Sequence, residues 1–479
     1  MLGPLQHNPC LFPRVFAMSA SQSIDFDLDL IHRYNTAGPR YTSYPTAVQF
    51  HDGFTAERYQ QIARETNASG RPLSLYFHIP FCDTVCYYCA CNKVVTKDRT
   101  RSRGYLDSLY QEMALQGDLF DRSRPVTQLH WGGGTPTFIS HDEMTELMGK
   151  TAEHFGLLDD DTGEYSIEID PREVRDETLA LLRQLGFNRI SLGVQDFDEK
   201  VQKAVNRVQS ESLVRNVLDE ARRLGFRSTS VDLIYGLPHQ NCETFGNTIE
   251  RIIDMDPARI SVFNYAHLPD RFKPQRRIAD ADLPTPSEKL AILQQTISQL
   301  TEAGYVYIGM DHFAKPDDEL AVAQRDHTLY RNFQGYSTHS DCDLIGLGST
   351  SVGMVGNSYS QNQHKLDDYY AAMGEKRLAV FRGVELDQDD LIRRDVITRL
   401  ICHFELSFGD IEKAHDIRFG DYFAQELDDL KVMESDGLIN LNADQISVRP
   451  AGRLLIRNIC MSFDRYLREA SEQRFSRVI

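Results

Sequence analysis

From Leu73 onward the chain alternates short apolar segments with longer stretches whose apolar residues recur every three and four positions. The short segments lie at 73–79, 128–131, 165–169, 189–193, 230–235, 259–264 and 305–309, and have the length of strands. The stretches between them, at 105–119, 142–155, 176–184, 212–224, 242–253 and 287–303, have the period of helices. Three of these stop just before Gly186, Gly225 and Gly304, as helices do at a glycine C-cap. The strands read as near-continuous apolar runs, which predicts a parallel sheet covered by helices. Six or seven βα units in succession predict an α/β fold built on a partial or full (β/α) barrel. A doubly wound open sheet is the competing arrangement.

Polar residues collect where each strand ends. Cys82 follows the first strand and the run Gly132-Gly133-Gly134-Thr135-Pro136 the second. Glu168 and Asp170 close the third, Gln195 the fourth, Asp232 the fifth, and Asn264 and His267 the sixth. Active sites of parallel α/β folds sit at the C-terminal ends of strands, so this series predicts one site built from several loops. For single members, Asp170 and Asp196 above all, capping of the next helix is the ordinary alternative. The glycine run reads either as a tight turn or as backbone that frees N–H groups for a ligand. It is neither a dinucleotide fingerprint nor a P-loop.

Cys82, Cys86, Cys89 and Cys91 fall in one short loop with the spacing C-x3-C-x2-C-x-C. Three or four thiolates so close suit a soft metal or an iron–sulfur cluster. A structural zinc site needs a second pair of ligands farther along, and none follows. The total of nine cysteines is odd, and the other five are scattered singly, which is no disulfide framework and fits a reducing cytoplasm. A formal charge of −18 argues against binding of nucleic acid or a membrane surface. No segment has the apolar length of a membrane span.

Residues 1–17 show little amphipathic order and no clean apolar core, so they read as an extension rather than a secretory signal. Residues 1–72 are expected to form this extension and an arm, 73–364 the barrel, and 365–479 a mainly helical, winged-helix-like domain. Its helices are expected at 389–404 and 421–436, with a hairpin of 438–440 and 445–448 and a last helix from Ala451. The arginine series Arg453, Arg457, Arg465, Arg468, Arg474 and Arg477 reads as a solvated face with local ion pairs.

The cysteine spacing, the glycine run and the βα series together resemble the radical S-adenosylmethionine superfamily. Within it, Pro39-Arg40-Tyr41-Thr42-Ser43-Tyr44-Pro45-Thr46, His78-Ile79-Pro80-Phe81-Cys82, Cys89-Ala90-Cys91-Asn92, His130-Trp131-Gly132-Gly133-Gly134-Thr135-Pro136-Thr137, Gly193-Val194-Gln195-Asp196-Phe197 and Phe475-Ser476-Arg477-Val478-Ile479 are similar to the oxygen-independent coproporphyrinogen III oxidase family. The resemblance implies a [4Fe–4S] cluster on Cys82, Cys86 and Cys89, with the fourth iron left open for S-adenosylmethionine. It implies that Tyr76, Gly133, Glu168 and Val352 hold that molecule. Tyr88, Gly134, Thr135, Gln195, Arg207, Asp232 and Ala266 would contact a second S-adenosylmethionine. Tyr88 stands where the family frequently has phenylalanine, and Ala90 where it has glycine.

The implied reaction is radical oxidative decarboxylation of two propionates of coproporphyrinogen III to vinyl groups. Cys91 is the candidate for a catalytic role without ligating the cluster, and Arg40 and Arg207 are the candidates for binding substrate carboxylates. The implied partners are the porphyrinogen and a low-potential electron donor such as flavodoxin or ferredoxin, acting on a cytoplasmic monomer. The alternatives are a haem-trafficking paralogue with the same cluster and a metal-sensing DNA-binding protein. Cys91 and the 39–46 segment argue against the first, and the acidic balance against the second.

Overall fold

The structure, a computed structural model, describes residues 23–469. The 1–17 extension, the 475–479 motif, Arg474 and Arg477 lie outside the described residues. Six parallel strands form the centre: β1 (Leu73–Ile79), β2 (Pro125–Gly133), β3 (Glu164–Ile169), β4 (Arg189–Gln195), β5 (Ser228–Tyr235) and β6 (Arg259–Asn264). They pair in sequence order. Each crossover carries a helix: α1 (Arg101–Gly117), α2 (His141–His154), α3 (Thr178–Gln184), α4 (Glu211–Arg223) and α5 (Cys242–Met255). After α6 (Pro286–Glu302) comes β7 (Val306–Gly309). It does not join β6 directly, because β8 (His312–Ala314) runs antiparallel between them.

A small hairpin of β9 (Tyr330–Asn332) and β10 (Gly335–Ser337) stands apart from the large sheet. On the other flank β11 (Asp343–Leu347) pairs parallel with β1, and β12 (Val352–Val355), β13 (Ser358–Asn362) and β14 (Val380–Glu385) extend it as an antiparallel meander. The barrel was expected to end at residue 364, yet β14 still belongs to its sheet.

The helices start where their caps dictate. Ser140 and Glu143 close a reciprocal capping box on α2, and Asn241 with Thr244 and Thr285 with Glu288 do the same for α5 and α6. Met144 and Leu147 of α2 and Ile249 and Ile252 of α5 are fully buried. Trp131 of β2 is also fully buried, with the Phe187 ring edge-on at 4.8 Å. Such a pair adds about 0.5–1.5 kcal/mol beyond its buried area.

One expectation about the strands is corrected. Among the expected strands, β1, with Tyr76 alone not buried, and the short β7, buried throughout, approach continuous runs, but the others do not. In β3 the residues alternate: Tyr165, Ile167 and Ile169 are buried, while Glu164, Ser166 and Glu168 face the interior of the sheet's curve. In β5, Val231 and Leu233 alternate with Ser230 and Asp232 in the same way. The reason is physical: the curved sheet encloses a polar cavity of about 210 Å³ rather than layers of apolar side chains, so only its helix-covered side must be apolar.

Beyond β14 lies α7 (Gln388–His403), capped by Asp387 and Asp390. A three-stranded sheet follows, in which β17 (Gln445–Val448) is flanked by β15 (Glu405–Ser407) and β16 (Ile439–Leu441). The expected single helix from Ala451 is instead a short turn at Pro450–Gly452 and two helices, Ile456–Met461 and Arg465–Glu469. Gly452 lets this turn pack closely, because a Cβ there would lie against the carbonyl of Leu438.

This C-terminal unit is stitched to the N-terminal arm. Arg457 donates to the carbonyls of Pro39 and Gly38, and the Tyr41 hydroxyl donates to Asp464 at 2.9 Å. Arg465 pairs with Asp387 and Asp389, and Arg468 with Asp429. The basic series is thus largely consumed inside the chain. Among the described residues no helix is long and apolar enough to cross a membrane.

Candidate active site

The cysteine loop leaves β1 and returns on itself. Phe81–Cys82 pairs parallel with Val94–Val95, and Val94 N and Thr96 N donate to Pro80 and Cys82 carbonyls at 2.7 and 2.9 Å. This two-residue ladder closes the loop at its base. Within it, Cys89 N donates to Cys86 O at 3.2 Å, and Lys93 Nζ donates to the carbonyl of Cys89 at 3.0 Å. The far side docks on the segment after β4: Tyr87 N donates to Val205 O and Asn206 Nδ2 to Val85 O. Backbone bonds, not disulfides, therefore fix the sulfurs, and all four thiols are free.

The sulfurs differ in surroundings. Cys86 is buried, Cys82 and Cys89 are half-buried, and Cys91 is exposed. Burial pushes the Cys82 thiol up to about 12, with Thr135 Oγ1 beside its sulfur at 3.6 Å. A hydrogen bond from Cys91, helped by Lys93, holds Cys89 down at about 6, and Cys91 is correspondingly raised. Two guanidinium groups flank Cys86 Sγ: Arg207 Nη1 at 3.5 Å and Arg172 Nη2 at 3.6 Å. Both also bind Asp170, at 2.9 and 2.6 Å. Burial pushes the Asp170 carboxyl up, and these two cations outweigh it and hold it below the usual range.

The glycine run plays the part of a tight turn. Gly133 N donates to Glu168 Oε2 at 3.1 Å, Gly134 N to Ile79 O at 2.9 Å and Thr135 N to Phe81 O at 2.8 Å. These N–H groups are spent on the protein, which corrects the reading that they are free for a ligand. A Cβ on Gly134 would lie 2.7 Å from the carbonyl oxygens of Pro80 and Phe81. The missing side chain lets β2 end directly against the cysteine loop. Gly133 itself has φ +118°, a backbone that other residues rarely adopt.

One cavity of about 240 Å³ gathers most of the expected residues: Cys82, Cys86, Cys89, Cys91, Tyr88, Gly133, Gly134, Thr135, Glu168, Gln195, Arg207 and Asp232. Burial raises the Asp232 carboxyl to about 6, although Ser191 Oγ donates to it at 3.0 Å. Glu168 also feels burial, but His130 and the Gly133 N–H outweigh it and keep it low. Tyr76 lies beside the cavity, its ring stacked on His130 at 5.8 Å and its hydroxyl 3.3 Å from His78 Nδ1. Val352 opens β12 and packs in the apolar cluster that includes Tyr76. Ala266 is exposed outside this lining, and its carbonyl accepts from Gln275 Nε2 at 3.2 Å.

The two arginines expected to meet substrate carboxylates stand apart from each other. Arg40 pairs with Asp311 at 3.2 Å and lines a separate small cavity, so it is not beside the cysteines. Arg207 donates through Nη1 and Nη2 to Asp170, the Gly193 carbonyl and Cys86, and its Nε is buried without a partner.

Residues not anticipated also line the site: Ser191, Phe263, Lys93 and Thr84. Ser191 stands two and four positions before Gly193 and Gln195, so period-two counting back from the end of β4 would have found it, whereas Phe263, one before the end of β6, falls outside such a count. The donor set fits a [4Fe–4S] cluster with one open iron. Four cysteines from one loop share a cavity in which Gln195 Oε1 and Arg207 Nε are buried without partners, polar atoms that a bound molecule would satisfy, and ligation by three of the four sulfurs would leave one iron open.

Comparison with known proteins agrees with this geometry. Residues 76–252 match the Radical SAM superfamily and residues 386–455 the HemN C-terminal domain. The chain is 55% identical over 457 residues to the oxygen-independent coproporphyrinogen III oxidase of Pseudomonas aeruginosa, covering 95% of this chain and 99% of that one. It is 53% identical to the enzyme of the same name from Escherichia coli K12, covering 96% and 99%. A solved structure of coproporphyrinogen III oxidase (HemN) from Escherichia coli, described as a radical SAM enzyme, superposes with a TM-score of 0.89 at 50% identity, covering 93% of this chain and 100% of that one.

Proposed function

Because the chain belongs to the oxygen-independent coproporphyrinogen III oxidase family of radical SAM enzymes, we propose that its cysteine-loop cavity is where two propionates of coproporphyrinogen III are oxidatively decarboxylated to vinyl groups, giving protoporphyrinogen IX. The reaction belongs to haem biosynthesis and needs no oxygen. Its cofactors are a [4Fe–4S] cluster and S-adenosylmethionine. When bound, they supply the one-electron reductive cleavage that starts the radical chemistry. The observation that carries this reading is the convergence of four thiols, Glu168 and Asp232 on one cavity at the ends of the parallel strands.

The residues then divide the work. Cys82, Cys86 and Cys89 hold the cluster, and Arg172 and Arg207 beside Cys86 offset the negative charge of the thiolates. Tyr76, Gly133, Glu168 and Val352 surround the S-adenosylmethionine on the open iron. Glu168, kept ionised by His130 and Gly133, accepts from its hydroxyl or ammonium groups. Tyr88, Gly134, Thr135, Gln195, Arg207, Asp232 and Ala266 serve a second S-adenosylmethionine. Cys91 acts in the oxidase reaction without ligating iron. We further read residues 73–385 as a partial barrel of six βα units with its flanking meander, and 386–469 as a winged-helix-like unit. The protein works as a cytoplasmic monomer fed by a flavodoxin or ferredoxin.

Anaerobic reconstitution with iron and sulfide, followed by coproporphyrinogen III, S-adenosylmethionine and a low-potential reductant, tests the reading. Protoporphyrinogen and methionine are the expected products. Cleavage of S-adenosylmethionine with no change in the porphyrinogen would refute it.

A further inference from the structure

A substrate with four carboxylates needs cations, and those beside the cysteines are already committed to Asp170. A guanidinium without a counter-ion lies elsewhere. Arg331 sits on β9 directly opposite Tyr336 of β10, with its guanidinium carbon 4.6 Å from the centre of the Tyr336 ring. The residue is only 8% exposed, and its Nε and Nη1 have no hydrogen-bond partner. Tyr336 gives it a cation–π contact, but a ring face does not replace an anion for a buried charge. Among the described residues no carboxylate is within ion-pair reach of it.

Other unsatisfied groups stand with it. His312 meets the Tyr336 ring edge-on at 5.3 Å, and its Nδ1 is buried without a partner. Burial, then the charges of Arg331 and Arg40, keep this imidazole neutral. Gln334, in the turn of the β9–β10 hairpin, has an unpartnered Nε2. The residue before His312, Asp311, is paired with Arg40, so that carboxylate is already taken.

The group is connected to the cofactor cavity. His312, Gln334 and Tyr336 line the polar interior of the barrel, which shares Glu168, Ser191, Asp232 and Phe263 with the cysteine cavity. Phe263 touches the His312 ring edge-on at 5.9 Å. A line of ring contacts, Phe263 to His312 to Tyr336, thus leads from the reacting end of the site to the unpaired guanidinium.

We propose that Arg331, with His312 Nδ1 and Gln334 Nε2, is an anchor for a substrate carboxylate other than the one being lost. By holding one propionate it fixes which pyrrole presents its side chain to the cofactors. A guanidinium suits this task because it stays charged when buried and offers several donors to one carboxylate. Arg331 is covered here, so the turn at Phe333 and Gln334 gives way as the carboxylate arrives. The inference rests on the function proposed above.

The test compares reconstituted wild type with Arg331→Met and Arg331→Lys. For coproporphyrinogen III, KM is expected to rise at least tenfold in Arg331→Met and to recover in part in Arg331→Lys, with cluster iron unchanged. Without substrate, Arg331→Met is expected to melt no lower than wild type, because it removes an uncompensated buried charge, while the rise in melting temperature on adding coproporphyrin III shrinks. An unchanged KM in iron-loaded Arg331→Met would overturn the anchor. So would a lower melting temperature with KM and kcat falling together, or an unchanged coproporphyrin-induced rise in Arg331→Met. Absence of turnover by wild type would instead count against the function itself.

Discussion

Glu112 shows how a single buried group carries a load that nothing near it in sequence announces. It is fully buried on α1 and accepts from Gly348 N at 2.7 Å, Asn362 Nδ2 at 2.5 Å and the Tyr369 hydroxyl at 2.8 Å. These bonds hold the loop from β11 into β12, and so Val352, against the barrel. Burial nevertheless raises its carboxyl to about 7, against the three donors. The unfolded chain loses this proton near the ordinary value of about 4.3, and the folded chain near 7. Between the two the folded state holds the extra proton, so stability falls as pH rises, by up to about 1.4 kcal/mol per unit. Denaturant unfolding from about pH 5 to about pH 7 is expected to lose this slope in Glu112→Gln. An equal slope in both proteins would exclude Glu112 as its source.

At the scale of elements, the cysteine loop and the end of β2 form one unit, because the glycine run packs on the loop's base. Gly134→Ala would drive a Cβ into the carbonyls of Pro80 and Phe81. The expected result is loss of most cluster iron with far-UV circular dichroism unchanged; full iron occupancy in this variant would disprove the packing role. Much at this scale was legible in the sequence. Apolar strand segments, glycine stops and polar strand ends located the six parallel strands and nearly every cavity residue. The inserted β8 was not legible, since three residues carry too little period to announce a strand. The polar barrel interior was missed where Ser166, Ser191 and Ser230 interrupt the apolar runs at every second position, a pattern that read as continuous when only its apolar members were counted. The Asp170–Arg207 pair was also out of reach, because its partners are 37 residues apart and meet only when the sheet curves.

The whole molecule sets a seam against the barrel. The arm and the C-terminal unit meet through Arg457 and the carbonyls of Gly38 and Pro39, and through Tyr41 and Asp464. Arg40, Arg331 and Arg457 gather there in a chain whose formal charge is −18, so positive potential is concentrated where an anionic substrate would need it. The cluster loop lies at the other end of the polar interior that His312 and Tyr336 line. What the cysteine loop binds therefore decides what this molecule does. The most direct measurement is electron paramagnetic resonance of the anaerobically reconstituted, reduced protein before and after S-adenosylmethionine. The account predicts the signal of one reduced [4Fe–4S] cluster that changes on addition of S-adenosylmethionine, in wild type and in Cys91→Ser, and its loss when Cys82, Cys86 or Cys89 is replaced by serine. A signal indifferent to S-adenosylmethionine, or loss of the cluster in Cys91→Ser, would contradict it.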